Sequence, residues 1–311
     1  MSTTQVGVNE EFLRAERAYL ASEGVSAETQ IIELKRLGST ARVLLAGDGP
    51  PVLLVPGVMT TGVVFADLVA RLPDYRCIMV ERPGTGLTPS LPSPPTTLEA
   101  QRGMADDFLV DIMDGLSIER CHVVCTSMGG WATFRGAAAH PERFLSITAL
   151  AFQIGARLDK LPWSMRAPLI KALIPRSIRA NRALVRASLK SAGMKATVEA
   201  GKFSDEMLDY MVAAMRYTEM FRNETLCSPR VVTPSGPVVE ARHSPELLAK
   251  VAAPVHLFWG TEDFFGGVNA AEEFASLLPN AELQMVAGAG HAVWMDEFEL
   301  AVAAVREHLA S

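Results

Sequence analysis

The chain of 311 residues is 49% hydrophobic and 21% charged, with a net charge of -6, a pI near 5.6 and a mean hydropathy of +0.18. That length can bury a sizeable core in one large unit or two smaller ones, the acidic balance argues against general nucleic-acid binding, and no apolar run reaches the length of a bilayer-spanning segment. The start, Met1-Ser2-Thr3-Thr4-Gln5, lacks the basic residues and apolar stretch of a leader, so a cytoplasmic location is expected.

In chain order, Asn9 to Ser22 sets Phe12, Leu13, Ala15, Ala18, Tyr19 and Leu20 among charges, an amphipathic helix for packing or for oligomer contact such as a homodimer. Gln30–Lys35 and Thr40–Leu45 read as strands joined by a turn at Gly38-Ser39. Pro51–Val55 is a continuous apolar run suited to a strand covered on both faces. A helix ends near Leu72, Tyr75–Val80 is the next strand, Pro89 to Pro95 is a surface connection, and Leu98 to Leu116 is helical. Strands follow at Cys121–Val124, Phe144–Leu150, Val255–Gly260 and Leu283–Ala287. From 154 to 240 the alternation of strand and helix stops, and the composition is helical with prolines at 162, 168 and 175.

The chemistry centres on Val123-Val124-Cys125-Thr126-Ser127-Met128-Gly129-Gly130-Trp131. A strand, a turn with Ser127 at its tip and a helix from Met128 to Ala139 would expose the serine oxygen and place backbone N–H groups beside it, which a serine nucleophile requires. Small residues two before and two after the serine let strand and helix approach, as in G-x-S-x-G; Gly129 supplies the second, and Cys125 stands in for the first. Asp263 follows the strand Val255–Gly260, and His291 follows Leu283–Ala287 through Gly288-Ala289-Gly290. Serine, acid and histidine in that order, each past a strand end, make a triad of Ser127, Asp263 and His291, with Glu262 the competing acid.

On these residues the chain resembles the capped Ser-Asp-His α/β-hydrolases, and the resemblance covers nearly all of it. It implies a mostly parallel central sheet flanked by helices, with core segments 1–153 and 241–311 and an inserted helical cap at 154–240. Glu81-Arg82-Pro83-Gly84-Thr85-Gly86-Leu87-Thr88 matches the family's D-x-x-G-x-G-x-S loop, with Glu81 for Asp and Thr88 for Ser. Pro56-Gly57-Val58-Met59 stands where the family carries His-Gly-x, so the resemblance makes the Val58 N–H the second oxyanion donor beside Met128, with Met59 the alternative. Pro56 replaces the histidine. Met59, Phe152, Trp163, Phe264 and Trp294 are assigned to the substrate pocket.

The expected activity is cleavage of a carboxylic ester, thioester or lactone with an apolar portion. Carbon–carbon bond hydrolysis of dienoate ring-cleavage products and a non-catalytic ligand-binding relative are the alternatives. Cations from Lys160 to Lys195 accumulate with almost no acid among them, and Arg179, Arg182, Arg186 and Lys190 share a helix face. That face is read as solvated, or as facing an acidic substrate, an acidic protein or a membrane surface. His122, His140, His243, His256 and His308 lack the strand-end setting of His291, and Cys77, Cys121, Cys125 and Cys227 lack metal spacing and read as buried thiols. No phosphate loop, dinucleotide fingerprint or metal-ligand pattern occurs, so no cofactor is expected.

Overall fold

Val52, Leu53, Leu54 and Val55 are all fully buried, which requires cover on both faces of the strand they form. Val52 and Leu54 enter one apolar layer, and Leu53 and Val55 enter the other. The computed structural model of the chain describes residues 3–159, 180–227, 232–233, 236–237 and 239–310.

The strands in chain order are β1 (Glu28–Leu34), β2 (Ser39–Ala46), β3 (Pro51–Val55), β4 (Arg76–Val80), β5 (Cys121–Ser127) and β6 (Phe144–Gln153). A two-residue pair, β7 (Val232–Thr233) and β8 (Gly236–Pro237), forms a separate antiparallel ladder before β9 (Val255–Gly260) and β10 (Ala281–Val286). The main sheet runs β1-β2-β4-β3-β5-β6-β9-β10. β2 is antiparallel to both β1 and β4, and all other neighbours are parallel. Because β3 is flanked by β4 on one side and β5 on the other, the strand order reverses there, and a crevice opens past the carboxyl ends of β3 and β5.

One face of the sheet is covered by the helices Leu98–Gly115, Met128–Ala139 and Val268–Ser276, which contribute Phe108, Ile112, Phe134 and Phe274. The other receives Phe65, Val302 and Val305, together with the N-terminal helix and the helices inserted between β6 and β9. The N-terminal helix begins at Thr3 rather than Asn9, because helix geometry continues past the point where apolar periodicity marks it. Phe12 and Tyr19 lie with ring centroids 5.9 and 5.8 Å from Tyr210 of the inserted helix Asp205–Tyr217. Its apolar face is thus engaged within the chain.

A buried ion cluster ties this helix to the core. Arg42 Nη2 donates to Glu16 Oε1 at 2.5 Å, and Arg42 Nη1 donates to Glu81 Oε1 at 2.7 Å. The second Glu81 oxygen accepts from the Leu87 and Thr88 N–H groups, both at 2.9 Å. Gly86 has φ +54°, and a Cβ there would run into the Glu81 carboxylate, so the loop closes around its acid only with glycine at this place.

The inserted helices Arg182–Ser191, Asp205–Tyr217 and Met220–Cys227 reach the loops beyond the sheet's carboxyl ends. Tyr210 Oη and Thr61 Oγ1 are 2.5 Å apart, and Asn223 Nδ2 donates to the Gly84 carbonyl at 2.9 Å. The described part of the basic face, Arg182, Arg186 and Lys190, is paired within the insert. Arg182 meets Asp205 at 2.7 Å and Asp209 at 2.6 Å, and Lys190 meets Glu199 at 3.0 Å. Lys160, Arg166, Lys171, Arg176 and Arg179 lie outside the described residues.

Candidate active site

Ser127 ends β5 with φ +53° and ψ -115°, a conformation that costs an L-residue about 1–3 kcal/mol. The surroundings enforce it. Gly129 has no room for a side chain, because a Cβ would collide with the Val55 carbonyl. At Gly57 a Cβ would stand 3.1 Å from Ser127 Cβ and 3.7 Å from its Oγ, so the turn after β3 lies directly over the serine. Cys125 is fully buried in the apolar layer of Leu53 and Val55, and burial pushes its thiol up to about 12. A small neutral side chain therefore fills the first small position of the elbow.

Met128 opens the helix Met128–Ala139, and the first N–H groups of a helix have no partner within it. The turn carrying Val58 is tight, with the next residue, Met59, at φ +59°. Its Gly57 carbonyl accepts from Arg82 Nη2 at 2.7 Å.

Asp263 is fixed by backbone donors. Its Oδ2 accepts from the Phe152 N–H at 2.9 Å, and its Oδ1 accepts from the Phe265 N–H at 3.1 Å. Oδ2 also lies 2.9 Å from His291 Nδ1, and both side chains are almost wholly buried. An ionised carboxylate only accepts, so it places the proton on Nδ1 and leaves Nε2 as the basic nitrogen. Phe265 sets its ring edge against the imidazole at 4.6 Å. The Gly290 N–H donates to Asp296 Oδ2 at 2.8 Å and holds the histidine loop. Glu262, the competing acid, is exposed. No hydrogen bond joins Ser127 to His291; such contacts are often longer before substrate binds.

The pocket residues named from the sequence fall in different places. Met59 and Phe264 are half-buried beside the site, and a Cβ at Gly193 of the insert would stand 2.6 Å from Phe264 Cβ. Trp294 is 6% exposed, with its ring 5.6 Å from Phe65. Phe152 lies deeper than the others. Its ring is 2% exposed and lies between Trp259 and Phe265, while its backbone N–H serves Asp263. The cause is Ala151, whose φ of +67° breaks the alternation of β6 and turns the next side chain into the core. Trp163 lies outside the described residues.

A cavity of about 300 Å³ adjoins Met128 and is lined by Leu91, Met104, Trp131, Arg82 and Glu224 among others. Of the described residues assigned to the pocket from the sequence, Met59, Phe152, Phe264 and Trp294, none borders it. A shallower depression of about 460 Å³ lies at Pro51 and Arg76, the amino ends of β3 and β4, and is remote from the site. Among the described residues no group of three or more His, Cys, Asp or Glu is placed to hold a metal ion, and no helix is long and apolar enough to cross a membrane.

Residues 50–298 match the family model of the alpha/beta hydrolase fold. The chain is 27% identical over 311 residues to the polyketide synthase ThaQ of Burkholderia thailandensis, covering 93% of this chain but only 13% of that protein. It is 25% identical to a 2-hydroxy-6-oxononadienedioate/2-hydroxy-6-oxononatrienedioate hydrolase of Cupriavidus pinatubonensis, covering 82% of this chain and 81% of the relative. Among solved structures, the naproxen esterase (carboxylesterase NP) of Bacillus subtilis superposes with a TM-score of 0.74 at 18% identity, covering 99% of this chain and 98% of that one. The chain belongs to the α/β-hydrolase fold family and by that membership is a hydrolase.

Proposed function

We propose that the chain is a serine hydrolase that cleaves a carboxylic ester, thioester or lactone through an acyl-enzyme. The observation that carries this reading is the bond between Asp263 Oδ2 and His291 Nδ1, in a fold that ends β5 on the strained Ser127. Ser127 Oγ attacks the carbonyl carbon as its proton passes to His291 Nε2. The bond to the leaving group then breaks, and the imidazolium returns the proton to it. Asp263 fixes the tautomer and stabilises the imidazolium throughout. Water, activated by the same nitrogen, repeats the sequence and releases the acid.

The N–H groups of Met128 and Val58 receive the oxyanion, each worth about 3–4 kcal/mol in sites of this kind. The segment 154–240 acts as a cap over a core made of 1–153 and 241–311. The cavity beside Met128 suits the apolar portion of the substrate.

A second reading, carbon–carbon bond hydrolysis of a dienoate, is favoured by the similarity to the Cupriavidus hydrolase. It uses the same triad. Labelling with a fluorophosphonate, followed by turnover of p-nitrophenyl esters, thioesters, lactones and dienoates, tests both. One labelled site that vanishes in Ser127→Ala, together with ester turnover that falls by about 10⁴ to 10⁶ in that variant, is expected. Undiminished ester turnover in Ser127→Ala would overturn the assignment. Labelling with turnover of dienoates alone would select the second reading, and absence of any label would point to ligand binding without catalysis.

A further inference from the structure

Arg82 stands where three parts of the molecule meet. It follows Glu81 in the loop beyond β4, its side chain is only 13% exposed, and its Nη2 donates to the Gly57 carbonyl at 2.7 Å. The same nitrogen pairs with Glu224 Oε1 on the inserted helix Met220–Cys227, and the Glu224 side chain is 9% exposed. The neighbouring Asn223 holds the same loop through the Gly84 carbonyl. One guanidinium thus joins the turn over the serine, the loop after β4 and the insert.

The Gly57 carbonyl and the Val58 N–H belong to one peptide unit. No peptide among the described residues is cis, so within that planar unit the C=O and the N–H point in opposite directions. Whatever fixes the Gly57 oxygen therefore aims the Val58 N–H the other way. A charged donor on the oxygen also polarises the unit and makes its N–H a stronger donor. Restraint from within the turn is scarce: Pro56 has neither an N–H nor a polar side chain, and Met59 is itself strained. Glu224 in turn supplies the countercharge that keeps Arg82 in this half-dry place.

We propose that Arg82 is the positioning residue of the oxyanion hole, holding the Gly57–Val58 peptide so that its N–H faces the Ser127 carbonyl adduct, and that Glu224 makes this alignment depend on the docked insert. The proposal rests on Val58 being an oxyanion donor in the reading above. Its substance is a division of labour: Arg82 touches no reacting atom and acts only through the peptide.

The test uses the full chain and its Arg82→Met, Arg82→Lys and Glu224→Gln variants, with active sites counted by fluorophosphonate labelling. kcat and KM per labelled site for a neutral p-nitrophenyl ester, and the affinity for a trifluoromethyl ketone, which forms a tetrahedral oxyanion on Ser127, are measured. Arg82→Met should lower kcat by about 10²-fold, the cost of losing one oxyanion donor, with KM nearly unchanged and ketone affinity reduced in proportion. Arg82→Lys keeps the charge but not the guanidinium fork and should lie between, and added methylguanidinium should restore part of the kcat of Arg82→Met. Glu224→Gln should lower kcat by less than Arg82→Met. Should the Arg82 variants not fold, Glu224→Gln decides alone, and an unchanged kcat and ketone affinity there would overturn the proposal.

A purely structural role would lower the yield of labelled protein while leaving kcat per site intact, and that result would overturn it. So would a rise in KM confined to anionic substrates, which would make Arg82 a substrate ligand at the cavity. If the unaltered chain takes no label, the serine-hydrolase reading itself fails and the proposal with it; a labelled, active chain with indifferent Arg82 variants overturns the proposal alone.

Discussion

The two ends of the site are held by different means. Asp263 is gripped by the backbone N–H groups of Phe152 in β6 and of Phe265 in the loop after β9. The turn over Ser127 is gripped by a side chain, Arg82, whose countercharge comes from a helix far along the chain. The Phe152 donor moves only with the sheet. A side-chain clamp can be opened without unfolding the sheet, so the turn over Ser127 is the adjustable end and Asp263 the fixed one.

The contrast is tested most severely at the fixed end. Asp263→Asn would present an amide to the imidazole, favour the wrong tautomer and lower kcat by about 10⁴-fold, while exposed Glu262→Gln should be close to neutral. Steady-state kinetics on both variants checks it; a damaging Glu262→Gln would mean that the acid has been misassigned.

At the adjustable end, the loop that carries Arg82 is anchored by Arg42. Arg42→Met leaves Glu16 and Glu81 buried without their countercharge and should destabilise the fold by about 3–5 kcal/mol, read from the denaturant midpoint. A variant with unchanged stability would show that the Leu87 and Thr88 N–H groups suffice for Glu81.

His243 gives a smaller effect with a definite sign. Its ring lies among Trp131, Phe134 and Phe274, neither ring nitrogen has a partner, and burial, assisted by the charges of Arg135 and Arg102, lowers it from 6.5 to about 3. As pH falls through 6.5 the unfolded chain takes up this proton while the folded one does not. Stability is therefore lost between pH 6.5 and about 3, at up to about 1.4 kcal/mol per pH unit from this group. His243→Phe should be flatter than the unaltered chain over that window in denaturant titrations at several pH values. Parallel curves would exclude a neutral buried imidazole.

The smallest effect is expected on the insert. Arg182 and Arg186 already face Asp205, and Arg182 also faces Asp209. Reversing both arginines to Glu should leave kcat/KM for a neutral ester within about three-fold, as for other exposed ion pairs. A loss confined to anionic substrates that fades as salt rises would show that these cations reach the substrate.

What could be read in the chain before folding follows from how local each signal is. Ser127, Asp263 and His291 each stand at or past the end of a strand whose residues form an apolar run, so the sequence alone is enough to propose them together. The strands were legible for the same reason. Arg82 was not, because nothing beside it predicts Gly57 or Glu224 as a partner. The basic face looked unpaired because its acids, Asp205, Asp209 and Glu199, arrive only from later helices. The inward turn of Phe152 could not be read from the chain, because a single residue at positive φ reverses which way the next side chain points, and Ala151 gives no warning of that.

The place where the chain leaves the sheet and the place where it returns are the same place. The His243 N–H donates to the Gly155 carbonyl at 3.0 Å, and Trp131 Nε1 donates to the Ala241 carbonyl at 3.0 Å beside it. The described helices between them meet the rest of the chain at this stem and again through Tyr210, Asn223 and Glu224. A stem of this kind lets the intervening chain be exchanged as a cassette: lengthening it costs only about 0.6 kcal/mol per doubling in loop-closure entropy, since its ends are already together. A different cassette grafted at this stem would have to replace the packing of Tyr210 on Phe12 and Tyr19 and its contact with Thr61, as well as the bonds made by Asn223 and Glu224.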